Sequence, residues 1–289
     1  MAILIIGSTG TIGSLVVQEL ADCGSEVYAL VHKSEPKFPA GVAPVNGDVT
    51  DIESMRKAFV GIDTLFLLNP VEADELNRAL LMLDLAVESG IKRVVYFSMF
   101  HADVFLDCPH ACAKYAAELM IGRFGIPATI LRPNYFFQND GPAILKTGVY
   151  PMPIGSRGTS MVDARDIAAV AALSLIRRES ATEPLPAEII EIHGPEVVTG
   201  DSAAALWSEV LGRKVTYPGD DLRAFEKQSR AMLPSAMAYD VAGMFRGFHR
   251  DGMVATPGAV DRIAKLLGRP LRTYRSYAEE TSKQAQKSQ

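Results

Sequence analysis

Along the first 131 residues the apolar positions change period at regular intervals. Ala2–Ile6 is a short, branched, wholly apolar run, the pattern of a strand buried on both faces of a parallel sheet. Ile12, Leu15, Val16, Leu20 and Cys23 then recur at helical spacing, and Gly24 stands where a helix ends. Glu26–Val31 predicts a second strand, Ala43–Asn46 a weaker third, Asp51–Phe59 a short helix and Asp63–Leu68 a fourth strand. Leu76, Leu80, Leu83 and Val87 mark a long helix stopping at Gly90. Arg93–Ser98, Ala111–Phe124 and Ala128–Leu131 continue as strand, helix and strand. Strands alternating with helices over short loops predict an α/β fold. With right-handed crossovers, it is a doubly wound parallel sheet.

After Leu131 the rhythm breaks. Residues 132–158 are rich in Pro, Gly and aromatics, Asp163–Leu175 resumes as a helix, and Ile189–Ile192 is a late strand. From Thr199 the pattern is mostly helical, with an N-cap region at Thr199–Asp201, a stop at Gly212 and one short strand at Lys214–Tyr217. The expected organisation is a sheet domain of residues 1–131 plus about 160–195, and a smaller, mostly helical C-terminal α/β domain of 132–159 plus about 196–275. Residues 276–289, polar and without periodicity, read as a disordered tail.

Composition narrows the function classes. The 289 residues are 48% hydrophobic and 22% charged, too apolar for a disordered chain. Three cysteines make no disulfide framework. A net charge of -5 gives no general attraction for phosphate backbones, so nucleic acid is not an expected partner. No apolar run reaches the ~20 residues of a membrane span, and Ala2–Ile6 reads as a strand start rather than a signal peptide. Free cysteines without an export signal point to the cytoplasm.

The strongest motif is Gly7-Ser8-Thr9-Gly10-Thr11-Ile12-Gly13, set between the first strand and the first helix. Glycines there permit a tight exit from the strand, close backbone approach to a diphosphate and close helix–sheet packing. The helix N-terminus supplies free N–H groups and a partial positive charge. Gly7, Thr9, Gly10, Thr11, Ile12 and Gly13 are therefore expected to hold a dinucleotide, in a Rossmann domain. The second strand ends in Val31-His32-Lys33 with no carboxylate before Glu35. Lys33, with His32 or Lys37, suits a 2′-phosphate, so NADP is expected over NAD, which Glu35 keeps as the lesser option. Asp48, after the third strand, either accepts from the adenine amino group or serves as a turn or N-cap residue.

Gly7–Gly13, Gly47-Asp48-Val49, Val94–Ser98, Lys114, Leu131-Arg132-Pro133-Asn134-Tyr135-Phe136 and Arg165-Asp166-Ile167-Ala168 together resemble the NmrA-like branch of the atypical short-chain dehydrogenases, over almost all of the chain before the polar tail. The resemblance implies an NAD(P)-binding Rossmann domain with a smaller substrate or partner domain. Members of the branch include reductases of quinones, dyes and phenolic ethers, and also proteins that bind NAD(P) and regulate others without turnover. Short-chain dehydrogenases carry Tyr-x-x-x-Lys, whose lysine lowers the tyrosine pKa and holds the ribose. Here the segment is His110-Ala111-Cys112-Ala113-Lys114, and Tyr115 cannot substitute by adjacency, because neighbouring helix positions such as Lys114 and Tyr115 point about 100° apart. Lys114 is expected on the nicotinamide ribose. His110 either takes over the acid/base role or is a helix-start residue bonded to backbone.

Strand ends supply the remaining candidates. Asn69 and Ser98 terminate strands four and five at the edge where such sheets bind ligands, and each is either a cofactor contact or a local turn or cap. Asn134 and Tyr135 are cofactor candidates on leaving strand six. Phe100, Tyr135 and Phe137 are substrate candidates, able to wall a pocket for a flat molecule or to pack as core. Asp166 reads as structural. Metal binding is not expected: Cys108, His110 and Cys112 fall within five residues, but on a helix His110 points away from the cysteines and no fourth ligand is nearby. The two functions considered are an NADP-dependent reductase of a small, flat, electron-poor acceptor and a non-catalytic NAD(P) sensor that binds a regulatory protein.

Overall fold

The computed structural model describes residues 2–33 and 36–287. The elements in chain order are β1 (Ala2–Ile5), α1 (Thr11–Asp22), β2 (Glu26–Val31), β3 (Val42–Asn46), α2 (Ile52–Ala58), β4 (Thr64–Leu67), α3 (Glu75–Glu88), β5 (Arg93–Phe97), α4 (Pro109–Phe124), β6 (Ala128–Pro133), α5 (Gly141–Thr147), α6 (Ala164–Ser180), β7 (Glu188–Ile192), α7 (Gly200–Leu211), α8 (Leu222–Ser229), α9 (Ser235–Asp251), α10 (Ala259–Leu267) and α11 (Tyr274–Lys287). The sheet order is β3-β2-β1-β4-β5-β6-β7. The pairs from β3 through β6 are parallel, with Ile3 in register with both Val27 and Thr64. This is the expected doubly wound sheet. Its strand order reverses at β1, so the crevice at the carboxyl end of β1 falls on the glycine loop.

The chain divides into two compact units. The first comprises Met1–Asp103, Cys112–Arg132 and Ile167–Ile190; the second comprises Val104–Ala111, Pro133–Asp166 and Glu191–Gln289. In the first unit β1 and β4 are buried at every position, as apolar strands between two helical layers must be. Leu4, Leu65, Val94 and Ile130 of the strands pack into one core with Met55 of α2, Met82 and Leu83 of α3, and Ile121 of α4. The periodic face of α1 buries Ile12, Val16, Val17 and Leu20. Arg178, 1% exposed, is tolerated there because it donates to Thr129 Oγ1 and to the carbonyls of Ala128, Leu185 and Pro186.

The second unit is mostly helical and has an aromatic core. Trp207 Nε1 donates to Tyr274 Oη at 2.9 Å, and Tyr274 donates in turn to Asp140 Oδ2 at 2.7 Å. Burial pushes the Asp140 carboxyl up to about 8, against the hydrogen bonds from Tyr274, Tyr150 and Tyr135 that oppose it. Thr199 caps α7 in a reciprocal capping box with Ser202, and Gly212 ends the helix in the left-handed conformation. Asp166 is structural as expected: it accepts from Arg272 N at 2.8 Å and pairs with Arg269 and Arg272.

Two expectations need correction. Residues 276–287, expected to lack structure, belong to α11, where Tyr274, Tyr277, Ala278 and Ser282 form a narrow buried stripe. Few apolar residues suffice for such a stripe, so hydropathy alone missed it. Lys214–Tyr217 is no strand: Thr216 makes a single bridge to Val149, too short a pairing to propagate. Inside 132–158, α5 forms with Pro142 in its first turn, the one helical site where proline costs little. Among the described residues no helix is long and apolar enough to cross a membrane.

Candidate functional site

Within the first unit the candidates gather at the carboxyl ends of the strands. Gly7 takes φ +81°, and a Cβ there would lie 2.8 Å from Leu68 O. A Cβ on Gly13 would lie 2.0 Å from Gly7 O, so the first turn of α1 rests directly on the loop backbone. Gly10 N–H closes the turn onto Gly7 O at 3.1 Å, and no side chain caps α1. The N–H groups of the first helical turn, from Thr11 to Gly13, thus keep their donors for an anion. Ser8 fixes the loop against β2 by donating to Leu30 O at 2.6 Å while 1% exposed. That anchor had no pattern in the sequence beyond its place in the motif.

The end of β2 carries His32 and Lys33, and Lys33 takes φ +51°, a left-handed conformation uncommon outside glycine. Together with Asn46, Gly47, Asp48 and Ser54 they line an open cavity of about 310 Å³. Asp48 is a turn residue: its Oδ1 accepts from Thr50 N at 2.9 Å and Thr50 Oγ1 at 2.6 Å, and its Oδ2 lies 3.6 Å from His32 Nδ1. The Thr50 hydroxyl and N–H hold the Asp48 carboxyl below its ordinary range. The N-cap of α2 is Asp51 instead. Glu35, the carboxylate that would favour NAD, lies outside the described residues.

Asn69 follows β4 with both amide atoms buried and without a hydrogen-bond partner among the described residues. A buried amide is costly to leave unpaired, and its place at the ligand-binding edge suits a group that a ligand completes. Ser98 is 1% exposed and its hydroxyl donates to Glu118 Oε1. Glu118 is clamped in turn by Arg132 Nε at 3.0 Å and Nη2 at 2.6 Å, while Arg132 Nη1 reaches Asp103 at 2.9 Å. Lys114, 5% exposed, donates to Glu75 Oε1 at 2.6 Å and lies 3.4 Å from Phe97 O at the end of β5. Sequence reasoning missed Glu75, Glu118 and Arg132. The spacing of Lys114 and Glu118, four residues apart and so on one helix face, was the signal available. Phe100 is buried with its ring 3.8 Å from that of His101.

The second unit holds the rest. His110, 6% exposed, has Nδ1 2.9 Å from Asp240 Oδ1, and its backbone N–H reaches the same oxygen at 3.3 Å. Burial raises the Asp240 carboxyl, but the hydrogen bonds and charge of His110 outweigh it and hold the carboxyl below its ordinary range. Cys108 Sγ is 3.4 Å from Asp240 Oδ1, and burial pushes its thiol up to about 12, which makes it inert as a nucleophile. Asn134 Nδ2 spends both donors, on His193 Nδ1 at 3.1 Å and Met253 O at 2.7 Å, while Oδ1 accepts from Tyr135 N. Tyr135 packs against Phe245 and Phe248. Of its two readings Phe137 takes core packing: 1% exposed, it is closed over by Tyr274 and Tyr277.

The loop without room for a Cβ at Gly7 or Gly13, the uncapped helix start, the basic end of β2 and the Asn69 amide unpartnered among the described residues fit a bound dinucleotide. The family model described as NmrA-like family matches residues 1–278. An NAD(P)H azoreductase from Xenophilus azovorans is 29% identical over 96% of both chains. An NADPH-dependent quinone oxidoreductase from Escherichia coli, solved with NADPH, superposes with TM-score 0.81 at 24% identity, over 97% of this chain and 99% of that one. A solved NmrA, a negative transcriptional regulator, superposes with TM-score 0.75 at 17% identity, over 99% and 97%.

Proposed function

This chain belongs to the NmrA-like family, and from that premise we propose that it is an NADPH-dependent reductase of a small, flat, electron-poor acceptor of the quinone or dye type. The observation that carries the reading is the glycine loop, with the first turn of α1 seated on Gly7 and its N–H groups uncapped. The azoreductase relative, similar over nearly its whole length, supports the reaction class. When bound, NADPH supplies a hydride, and reduction of a quinone to the hydroquinone needs one proton besides.

The loop and α1 hold the diphosphate by backbone N–H groups and helix-end charge. Lys33, with His32, pairs with the 2′-phosphate and sets the preference for NADP over NAD. Asn69 completes its buried amide on the cofactor, and Lys114 binds the nicotinamide ribose, held in place by Glu75. Ser98 keeps the end of β5 in position through Glu118 and Arg132. His110 stands in the sequence where short-chain dehydrogenases carry tyrosine. Asp240 and Cys108 hold its Nδ1, at 2.9 and 3.4 Å, so the proton that accompanies the hydride comes from solvent. An acceptor that is already electron-poor demands less of that proton transfer than a simple ketone does.

One observation favours a second reading, a non-catalytic NAD(P) sensor that binds a regulatory protein: the family's tyrosine is absent, and His110 is buried in a hydrogen-bonded cluster. A screen of NADPH oxidation over quinones, azo dyes, triarylmethane dyes and aldehydes separates the two. The reductase predicts turnover with at least one flat acceptor and little with aldehydes. Tight NADPH binding with no turnover on any acceptor refutes it and leaves the sensor.

A further inference from the structure

One more cluster of ligating side chains lies within the second unit. Cys108 Sγ, His110 Nδ1 and Asp240 Oδ1 form a triangle with edges of 3.4, 3.4 and 2.9 Å. A tetrahedral Zn²⁺, with bonds of about 2.3 Å to sulfur and about 2.0–2.2 Å to nitrogen and oxygen, spaces its ligand atoms about 3.3–3.6 Å apart. The triangle needs only its nitrogen–oxygen edge to open by a few tenths of an ångström. All three residues are buried, Cys108 to 1% exposure and the other two to 6%. Among the described residues this is the one group of three or more His, Cys, Asp or Glu side chains that meets the spacing of a metal site.

The local fold explains the convergence. Cys108 lies just before α4, in a turn where its N–H bonds to Phe105 O at 2.9 Å, so it is free of the helical geometry that would separate it from His110. Asp240 comes from the first turns of α9, 130 residues further on. We propose that Cys108, His110 and Asp240 constitute a Zn²⁺ site. A thiolate with an imidazole selects zinc over the hard ions Mg²⁺ and Ca²⁺, and three protein ligands leave a fourth position for water. On binding, the Cys108 S–H bond breaks and its proton goes to solvent, the sulfur pair becoming the bond to zinc. His110 ligates as the neutral imidazole through Nδ1 and keeps its proton on Nε2. The ion then ties the start of α4 to α9, and because the unfolded chain lacks the site, bound metal raises the melting temperature.

The test is a Co²⁺ titration of the full-length, chelator-treated, reduced protein, followed by absorption. The expected result is one equivalent bound, with a near-ultraviolet thiolate-to-cobalt charge-transfer band and the visible bands of tetrahedral Co²⁺, both bleached by Zn²⁺. The double variant Cys23→Ser/Cys112→Ser, which retains Cys108 as its single thiol, keeps the band; Cys108→Ser loses it; Asp240→Asn weakens Co²⁺ binding at least tenfold. Because the double variant alters two exposed positions, it remains informative should Cys108→Ser fail to fold. A six-coordinate spectrum without a thiolate band in the wild type overturns the proposal, as does a band that disappears in Cys23→Ser/Cys112→Ser. Either result would leave the cluster as hydrogen bonds from Cys108 and His110 to Asp240.

Discussion

Alanine in place of Gly13 tests the loop geometry most sharply, because the neighbouring Gly10 provides a matched control. The Gly13 Cβ would sit 2.0 Å from Gly7 O and 2.6 Å from Gly7 C, both backbone atoms that no rotamer change can move. Reaching an ordinary contact means displacing the Gly7 carbonyl by more than about 1 Å, which breaks the 3.1 Å bond from Gly10 N–H. Overpacking of this kind costs about 1–3 kcal/mol and the lost hydrogen bond about 1 kcal/mol, offset by about 1 kcal/mol of helix propensity gained over glycine. The net for Gly13→Ala is about 2 kcal/mol of destabilisation. At Gly10 the nearest atom to a Cβ is Gly7 O at 3.5 Å, an ordinary contact, and φ is -79°. Gly10→Ala therefore costs less than about 1 kcal/mol, the loss of a favourable N-cap residue. Urea unfolding followed by circular dichroism reads the stability, and NADPH titration monitored by protein fluorescence reads the binding. Gly13→Ala should also weaken NADPH at least tenfold, since the loop carbonyl that shapes the cradle has moved. Equal stability costs at the two positions would refute the argument.

Lys33→Ala should weaken NADPH about tenfold while leaving NADH nearly unchanged, the worth of one charge-assisted contact to phosphate; equal losses for both would remove the 2′-phosphate assignment. Glu75→Gln strands Lys114 as a buried, uncompensated charge and should cost about 3–5 kcal/mol in urea unfolding. Adding Lys114→Met to it should recover much of that loss, and no recovery would mean that the pair is not coupled. Asp140 binds its proton more tightly folded than unfolded, with a folded pKa of about 8 against an unfolded value near 3.8, so its contribution is full below about pH 4 and is lost as pH rises toward 8. Asp140→Asn should therefore compare better with the wild type at pH 8 than at pH 5, and a gap identical at both pH values would count against the buried, protonated carboxyl.

The first unit was legible because its cues are local. A strand buried on both faces must be a continuous apolar run, so Ala2–Ile6, Glu26–Val31 and Arg93–Ser98 revealed themselves within a residue of their ends. The glycine loop declared itself the same way, since close packing of strand, turn and helix leaves no alternative to Gly7 and Gly13. α11 was hidden because helix burial needs only one residue in three or four, and Tyr274, Tyr277 and Ala278 do not stand out in a polar segment.

What the sequence determined by itself was therefore the parallel sheet, its order of elements and the close-packed glycine loop between β1 and α1. The tertiary structure decided the partners of the chemistry-bearing residues. Lys114 became half of an ion pair with Glu75, 39 residues earlier, and Ser98 became a donor to a carboxylate held by Arg132. His110 and Cys108, which helical spacing would have set apart, converge on Asp240 because Cys108 lies outside the helix and α9 supplies the carboxylate. Periodicity records which face of an element is buried, because burial is dictated residue by residue. It carries no record of which charge waits on the other side of the interface, because that is fixed only when distant segments pack.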